Sequence, residues 1–165
     1  MRKEILFCLD PGTRISGWAV FTNGELHACG YAQPKKSLSW LERISAMQAE
    51  CFQGVRLDPT HLVVEFPEVY SSGKASPSSL IKVGAALGAV AACYADSCDD
   101  ITIYNPKEWK GSIGKAPMCN RVIGKLDHVE RALFDAVCTV TDNEKDPWCD
   151  VADAIGLGMK KVGRL

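Results

Sequence analysis

The chain has no long apolar run. Its longest weakly polar stretch, residues 83–95, is rich in Ala and Gly and falls short of the roughly 20 residues a membrane-spanning helix needs. A soluble protein with no membrane partner is expected. Charge of one sign is also missing, since 19 Lys and Arg against 20 Asp and Glu give a formal net charge of −1. Without a basic excess, any nucleic-acid binding must come from local patches and a bound cation. The three histidines, His27, His61 and His128, are scattered without metal-ligand spacing and read as structural or surface residues. Eight cysteines are present, yet none forms a Cys-x-x-Cys pair and several lie in apolar runs, so reduced thiols in a cytosolic protein are expected. Met1-Arg2-Lys3-Glu4 leads straight into a short apolar run with no small-residue cleavage site, which argues against a signal peptide. Repeats and low-complexity segments are absent as well.

What is present fits one domain. At 165 residues an ordinary core suffices, because a chain near this length buries roughly 68–70% of its unfolded surface. Residues 4–9, 16–21 and 26–31 read as strands, with Asp10-Pro11-Gly12 turning between the first two and the hairpin signal Asn23-Gly24 between the second and third. From Ser39 the period becomes helical, with Ser39 and Glu42 spaced as a capping box and Leu41, Ile44, Met47, Cys51 and Val55 on one face. Residues 61–65 form a strand buried on both faces. Ser76-Pro77 opens a helix to about Ala95, whose Gly84, Ala85, Gly88, Ala89 and Ala92 present a smooth surface suited to close packing. Residues 101–104 form a short strand ended by Asn105-Pro106. Val122, Leu126, Val129, Leu133 and Val137 then recur at helical spacing, and a last helix runs from Asp146-Pro147 to Lys160-Lys161 and Gly163. This order predicts an α/β fold with a mixed five-stranded sheet flanked by helices, and long loops over 70–79 and 110–118.

Four carboxylates stand where the chain leaves buried structure. Asp10 ends the first strand, Glu65 ends the fourth, and Asp150 and Asp153 lie three apart on one face of the last helix. Acids in the first turns of a helix are favoured by its dipole, and Asp-Pro-Gly is a common turn, so neither feature alone points to chemistry. Glu65 is harder to dismiss, because an acid closing a buried run needs a partner. Four such groups brought together repel unless polyvalent cations neutralise them. Two divalent ions about 3.5–4 Å apart would activate water and stabilise the leaving oxygen of a phosphodiester.

In this order the blocks resemble the RuvC-type Holliday junction resolvases of the RNase H-like superfamily. The likeness runs through Leu9-Asp10-Pro11-Gly12-Thr13 with Ser16-Gly17-Trp18, Val63-Val64-Glu65 with Tyr70, and Ser79-Leu80-Ile81-Lys82-Val83-Gly84 with Gly88. It continues through Tyr104-Asn105-Pro106 with Trp109-Lys110, and Asp150-Val151-Ala152-Asp153-Ala154. The resemblance implies an RNase H-like nuclease domain over residues 1–165, a homodimer, and magnesium-dependent paired nicking of a four-way DNA junction. Two Mg2+ ions per site, replaceable by Mn2+, would be held by Asp10, Glu65, Asp150 and Asp153, with Lys110 contacting phosphate near the cleavage point. The short form looks closer to phage versions, which implies the cytoplasm of a bacterial or phage-infected cell.

Two positions depart from that pattern. The aromatic residue expected soon after the glutamate is either Tyr70 or Phe66, and the second basic residue is either Lys115 or Arg121. Lys74, Lys82, Lys107, Lys110, Lys115, Arg121 and Lys125 are expected to gather on one DNA-binding face. Gly111-Ser112-Ile113-Gly114-Lys115-Ala116 imitates a phosphate loop, but its spacing is short and Ala116 replaces the metal-binding hydroxyl, so a DNA-facing loop is the better reading. Two other classes stay open. One is an RNase H-like nuclease directed at other branched DNA or RNA. The other is a phosphate-binding domain of the actin-like or sugar-kinase type, which needs two such domains and more chain than this.

Overall fold

The computed structural model describes residues 3–54, 58–67, 76–94, 98–141, 143 and 146–165. Its strands are β1 (Ile5–Asp10), β2 (Ser16–Thr22), β3 (Glu25–Ala32), β4 (His61–Glu65) and β5 (Asp100–Tyr104). Its helices are α1 (Trp40–Gly54), α2 (Pro77–Ala92), α3 (Pro106–Lys110), α4 (Lys115–Gly124), α5 (His128–Asp135) and α6 (Pro147–Lys161). The strands form one mixed sheet in the order β3-β2-β1-β4-β5, antiparallel across β3, β2 and β1 and parallel across β1, β4 and β5.

Local chemistry explains most boundaries. Asn23 and Gly24 both have positive φ (52° and 86°), the backbone that a tight hairpin with the right-handed strand twist requires. Ser39 and Glu42 close the expected capping box before α1. Ser76 caps α2 by accepting from the Ser79 amide, with Pro77 as its first residue.

Alternation along the strands divides the interior into two layers. Leu6, Cys8, Ala19, Phe21 and Val63 point to one side and pack with Trp109, Val122, Phe134 and most of α6. Phe7, Leu9, Val20, Leu62 and Val64 point to the other and meet Met47 and Cys51 of α1, Leu87 and Val90 of α2, and Tyr94. All eight cysteines are free thiols, as expected. No helix among the described residues is long and apolar enough to cross a membrane.

Several expectations need correction. The apolar recurrence from Val122 to Val137 is two helices, because Gly124 ends α4 and Asp127 caps α5 in a capping box with Glu130. Val129 is consequently 56% exposed. The 110–118 segment is shorter as a loop than expected, since Asn105 and Glu108 cap the short helix α3 and α4 begins at Lys115. The 70–79 loop is also shortened, residues 77–79 being helical, while 70–75 lie outside the described residues. In α1, Leu41 is 61% exposed, because the buried stripe begins only deeper in the helix at Met47. The helix expected to reach Ala95 ends at Ala92, and Val55 and Ala95 lie outside the described residues. Gly84 and Gly88 do not serve close packing within the chain: a Cβ added at either meets no described atom within 4 Å.

Candidate active site

The sheet register brings the first two acids together. Leu9 of β1 pairs with Val64 of the parallel β4, so the next residues, Asp10 and Glu65, end adjacent strands side by side. Leu9 and Val64 point into the α1 and α2 layer, so alternation turns Asp10 and Glu65 toward α6.

Helix α6 supplies the other two. Gly17 pairs with Asp10 across the β1–β2 ladder, and a Cβ there would overlap the Asp150 backbone carbonyl. Only glycine therefore lets the first turns of α6 lie against the strand ends. Farther along, Gly158 sits on the Phe21 ring and Gly156 on Trp109 and Val122, where a side chain would again overlap its neighbours. These contacts fix how α6 lies on the sheet and hence where Asp150 and Asp153 sit.

Two ammonium groups thread the acids. Lys110 Nζ lies 3.2 Å from Glu65 Oε2 and 3.9 Å from Asp153 Oδ2. Lys115 Nζ lies 2.7 Å from Asp150 Oδ1 and 3.8 Å from the same Asp153 oxygen. Asp153, at 2% exposure, is thus shared by both lysines. Among the described residues no three ligand-type side chains close on a single point, because the lysines stand between them.

The electrostatics match this crowding. Burial, then Glu65, Asp153 and Asp150, push the Asp10 carboxyl well above the usual range, with Lys115 opposing. Burial raises Asp153 to about 6 against the pull of Lys110 and Lys115. Burial also raises Asp150, and its contact with Lys115 does not fully offset this. Burial alone would lower both lysines, but the surrounding carboxylates outweigh it and raise each one. Every raised acid here reflects negative charge packed where water is scarce.

Sequence reasoning gave no role to two residues that hold the acids. Trp109 Nε1 donates to Glu65 Oε2 at 2.5 Å, while its ring packs against Gly156 and lies 4.8 Å beneath the Lys110 ammonium. The buried Cys119 thiol lies 3.6 Å from both Asp153 Oδ1 and the Cys149 carbonyl. The Asn105-Pro106-Lys107-Glu108 capping pattern, which places Trp109 and Lys110 on a helix, was a readable signal for the first. Nothing local pointed to the second.

Among the described residues the basic side chains separate into groups instead of gathering on one face. Lys110 and Lys115 are in the site, which favours Lys115 over Arg121 as the second basic residue. Arg121 lines a nearby groove with Lys110, Ile113 and Lys160. Lys107 is exposed on α3, and Lys82 lies on α2 in the opposite layer. Lys125 donates to the Arg164 carbonyl at 2.7 Å, so it is engaged within the chain. Phe66, 50% exposed, directly follows Glu65, whereas Tyr70 and Lys74 lie outside the described residues.

No protein-family model and no curated protein matches the sequence. Solved structures do match. Thermus thermophilus RuvC in complex with a Holliday junction substrate is 20% identical over 94% of this chain and 90% of that one, with a TM-score of 0.65. A further structure of Thermus thermophilus RuvC is 18% identical over 97% of each chain, at a TM-score of 0.63. The yeast mitochondrial Holliday junction resolvase is 12% identical over 96% of this chain and 78% of that one, at 0.55. The chain therefore has the RNase H-like α/β fold of these proteins, with its acids at the carboxyl ends of β1 and β4 and on the helix laid across them.

Proposed function

We propose that the chain is a structure-selective endonuclease that resolves four-way DNA junctions by metal-dependent hydrolysis of phosphodiesters. One observation carries this reading most: Asp10 and Glu65 end adjacent parallel strands with Asp150 and Asp153 packed over them, in the fold of proteins described as Holliday junction resolvases.

The donor set fits divalent metal. Hard carboxylate oxygens, half-buried or buried and mutually repelling, favour Mg2+ or Mn2+ over softer ions. Asp10, Glu65, Asp150 and Asp153 would hold two such ions, which would lower the pKa of the attacking water and neutralise the leaving oxygen. The chain's own groups do the positioning. Trp109 fixes the Glu65 carboxylate, and Cys119 lies against the inner oxygen of Asp153. Lys110 and Lys115 lie within reach of the carboxylates and would turn toward the phosphate when substrate enters. Phe66, exposed directly after Glu65, would stack on an unpaired base near the junction centre.

A four-way junction has near two-fold symmetry and one site reaches one phosphodiester, so the active form would be a symmetric homodimer cutting strands of like polarity. The uncovered small-residue face of α2, with Ile81 70% exposed, is the proposed seam.

Cleavage of a four-way junction, a flap, a fork, a linear duplex and an RNA–DNA hybrid of equal length, compared in Mg2+, tests the reading. Paired nicks confined to the junction support it. Equal cutting of linear duplex, or robust cutting in chelator, overturns it, and preference for the hybrid transfers the activity to RNA.

A further inference from the structure

The nuclease site uses Lys110 and Lys115, but three other cations converge on a second cleft nearby. Arg14 comes from the β1–β2 loop, Lys36 from the segment between β3 and α1, and Arg43 from α1. They line a cleft of about 310 Å³ whose far wall is Asn143, Asp146 and Pro147 at the start of α6.

Five cations elsewhere in the described chain have a carboxylate partner. Lys110, Lys115, Arg131, Lys161 and Arg164 each pair with one. Arg14, Lys36 and Arg43 pair with none among the described residues, and the buried Arg43 Nε has no hydrogen-bond partner there. Among the described residues a single acid lines the cleft, and it is already engaged: Asp146 accepts from Thr141 at 2.7 Å and from Asn143 at 2.8 Å. Among the described lining residues, three cations against one satisfied carboxylate give a positive balance. A half-buried guanidinium with an unmet N–H is costly unless a water or ligand oxygen completes it.

The cleft is lined by the loop that follows Asp10 and by the start of the helix that carries Asp150. Arg14 follows Asp10 by four residues on a loop closed by Ser16, which accepts from the Gly12 amide at 3.1 Å and donates to the Gly12 carbonyl at 3.3 Å. Asp146 and Pro147 open the helix that carries Asp150 one turn later. A chain of phosphates passing the acids at the start of α6 would meet these cations next. Guanidinium forks suit the paired oxygens of a phosphodiester.

We propose that Arg14, Lys36 and Arg43 form a backbone-phosphate subsite that holds the substrate strand beside the cleavage site. The inference rests on the nuclease reading and adds to it the path by which a strand leaves the acids. The ligand chemistry is a phosphate oxygen pair, supplied by a polynucleotide backbone and not by free phosphate.

The test uses the full chain in Ca2+ with a fluorescent four-way junction, titrated over a series of salt concentrations. Arg14→Gln with Lys36→Gln should lower affinity at least tenfold at low salt and flatten the log K against log salt slope by about 2, at roughly 0.9 per lost phosphate contact. Arg14 and Lys36 are exposed, so the double variant should keep the parent's thermal midpoint. Lys3→Gln removes one positive charge before β1, away from its Asp10 end, and should leave the slope alone. Arg43→Lys keeps the charge, loses the fork, and should give an intermediate loss. In the parent, the Arg43 Nε–H resonance should shift on adding junction and stay put in millimolar inorganic phosphate. A double variant with the parent's slope removes the subsite while leaving the nuclease reading standing. So does an Arg43 signal that answers to inorganic phosphate alone. If the parent ignores junctions but binds linear or single strands with a slope that the double variant flattens, the junction reading falls and the subsite stands. A parent that binds no polynucleotide overturns both.

Discussion

The two faces of the sheet are built to different tolerances. On one, α6 buries 11 of its 15 residues, and three glycines, at 17, 156 and 158, admit backbone and rings where a Cβ would overlap them. On the other, α2 buries only Ala86, Leu87 and Val90 of its 16 residues, and Gly84 and Gly88 meet no described atom. Strand β5 is left partly bare, with Ile101 45% and Ile103 56% exposed. The tight face is the one that carries the acids. Like charges pressed together gain from a rigid frame, since small displacements change their separation and the room left for cations. Among the described residues the open face shows no such constraint, and the aliphatic surface they leave uncovered suits a partner.

The largest break in that contrast comes from the acids themselves. Asp10→Asn, Glu65→Gln, Asp150→Asn and Asp153→Asn should each abolish cutting in Mg2+ while junction binding in Ca2+ survives, because each amide keeps shape and removes a ligand charge. A variant that cut junction DNA near the parent rate would strike its residue from the site. Stability should move the other way. Asp10 titrates well above an ordinary carboxylate, so as pH rises the unfolded chain releases its proton first and the folded chain keeps it, and stability falls across that window. For Asp153 the window closes at about pH 6. In chelator, Asp10→Asn should therefore melt higher than the parent at pH 8, with the gain shrinking toward pH 4. An equal fall in midpoint at both pH values would show that the charge is not what strains the fold.

Gly17→Ala attacks the frame instead of the charge. Its methyl would meet the Asp150 carbonyl, so α6 must shift, costing about 3 kcal/mol by analogy with severe overpacking. Chemical denaturation measures that cost, and cleavage should drop with it even at temperatures where the variant is folded. Parental stability in the Gly17→Ala variant would mean that α6 moves freely, and the rigid-frame argument would go.

The sequence revealed features governed by neighbours within a few residues. Ser39 with Glu42, Ser76 with Pro77, and Asn23 with Gly24 each set a boundary through contacts of short reach, and each boundary was read correctly. The four acids were legible because strand ends and helix spacing are themselves local patterns. Two further boundaries are local as well: Asn105 with Glu108, and Asp127 with Glu130, are capping boxes that start α3 and α5, whereas the apolar spacing alone runs on from α4 into α5. The remaining gaps were of another kind. The choice between Lys115 and Arg121 depends on how α4 lies against α6, and Trp109 meets Glu65 across 44 residues of sequence. No spacing rule encodes contacts made only after helices dock on a sheet.

Trp109→Phe tests one such contact with less force. Phenylalanine keeps a ring against Gly156 but removes the N–H that Glu65 accepts. A hydrogen bond to a charged group contributes about 1.5–3 kcal/mol, so single-turnover cleavage should slow roughly 10- to 100-fold. Binding in Ca2+ should hold. A loss of binding without a loss of rate would reassign Trp109 from orienting the acid to contacting DNA.

The smallest expected effect lies on the open face, where the sign decides the argument. Gly88 sits inside α2 with free space where its Cβ would be. In an isolated monomer Gly88→Ala should raise stability by about 0.5–1 kcal/mol, since alanine loses less backbone entropy in a helix. If a second copy covers this face, the methyl falls in the seam and the gain shrinks or reverses as protein concentration climbs. Melting at nanomolar and at micromolar protein separates the two cases, with light scattering reporting the dimer directly. Gly88→Arg, too large for any close seam, should then leave a monomer that binds junction DNA but loses paired nicking. Equal stabilisation by Gly88→Ala at both concentrations, together with normal dimers of Gly88→Arg, would move the seam off α2, and the bare edge of β5 at Ile101 and Ile103 would be the next surface to test.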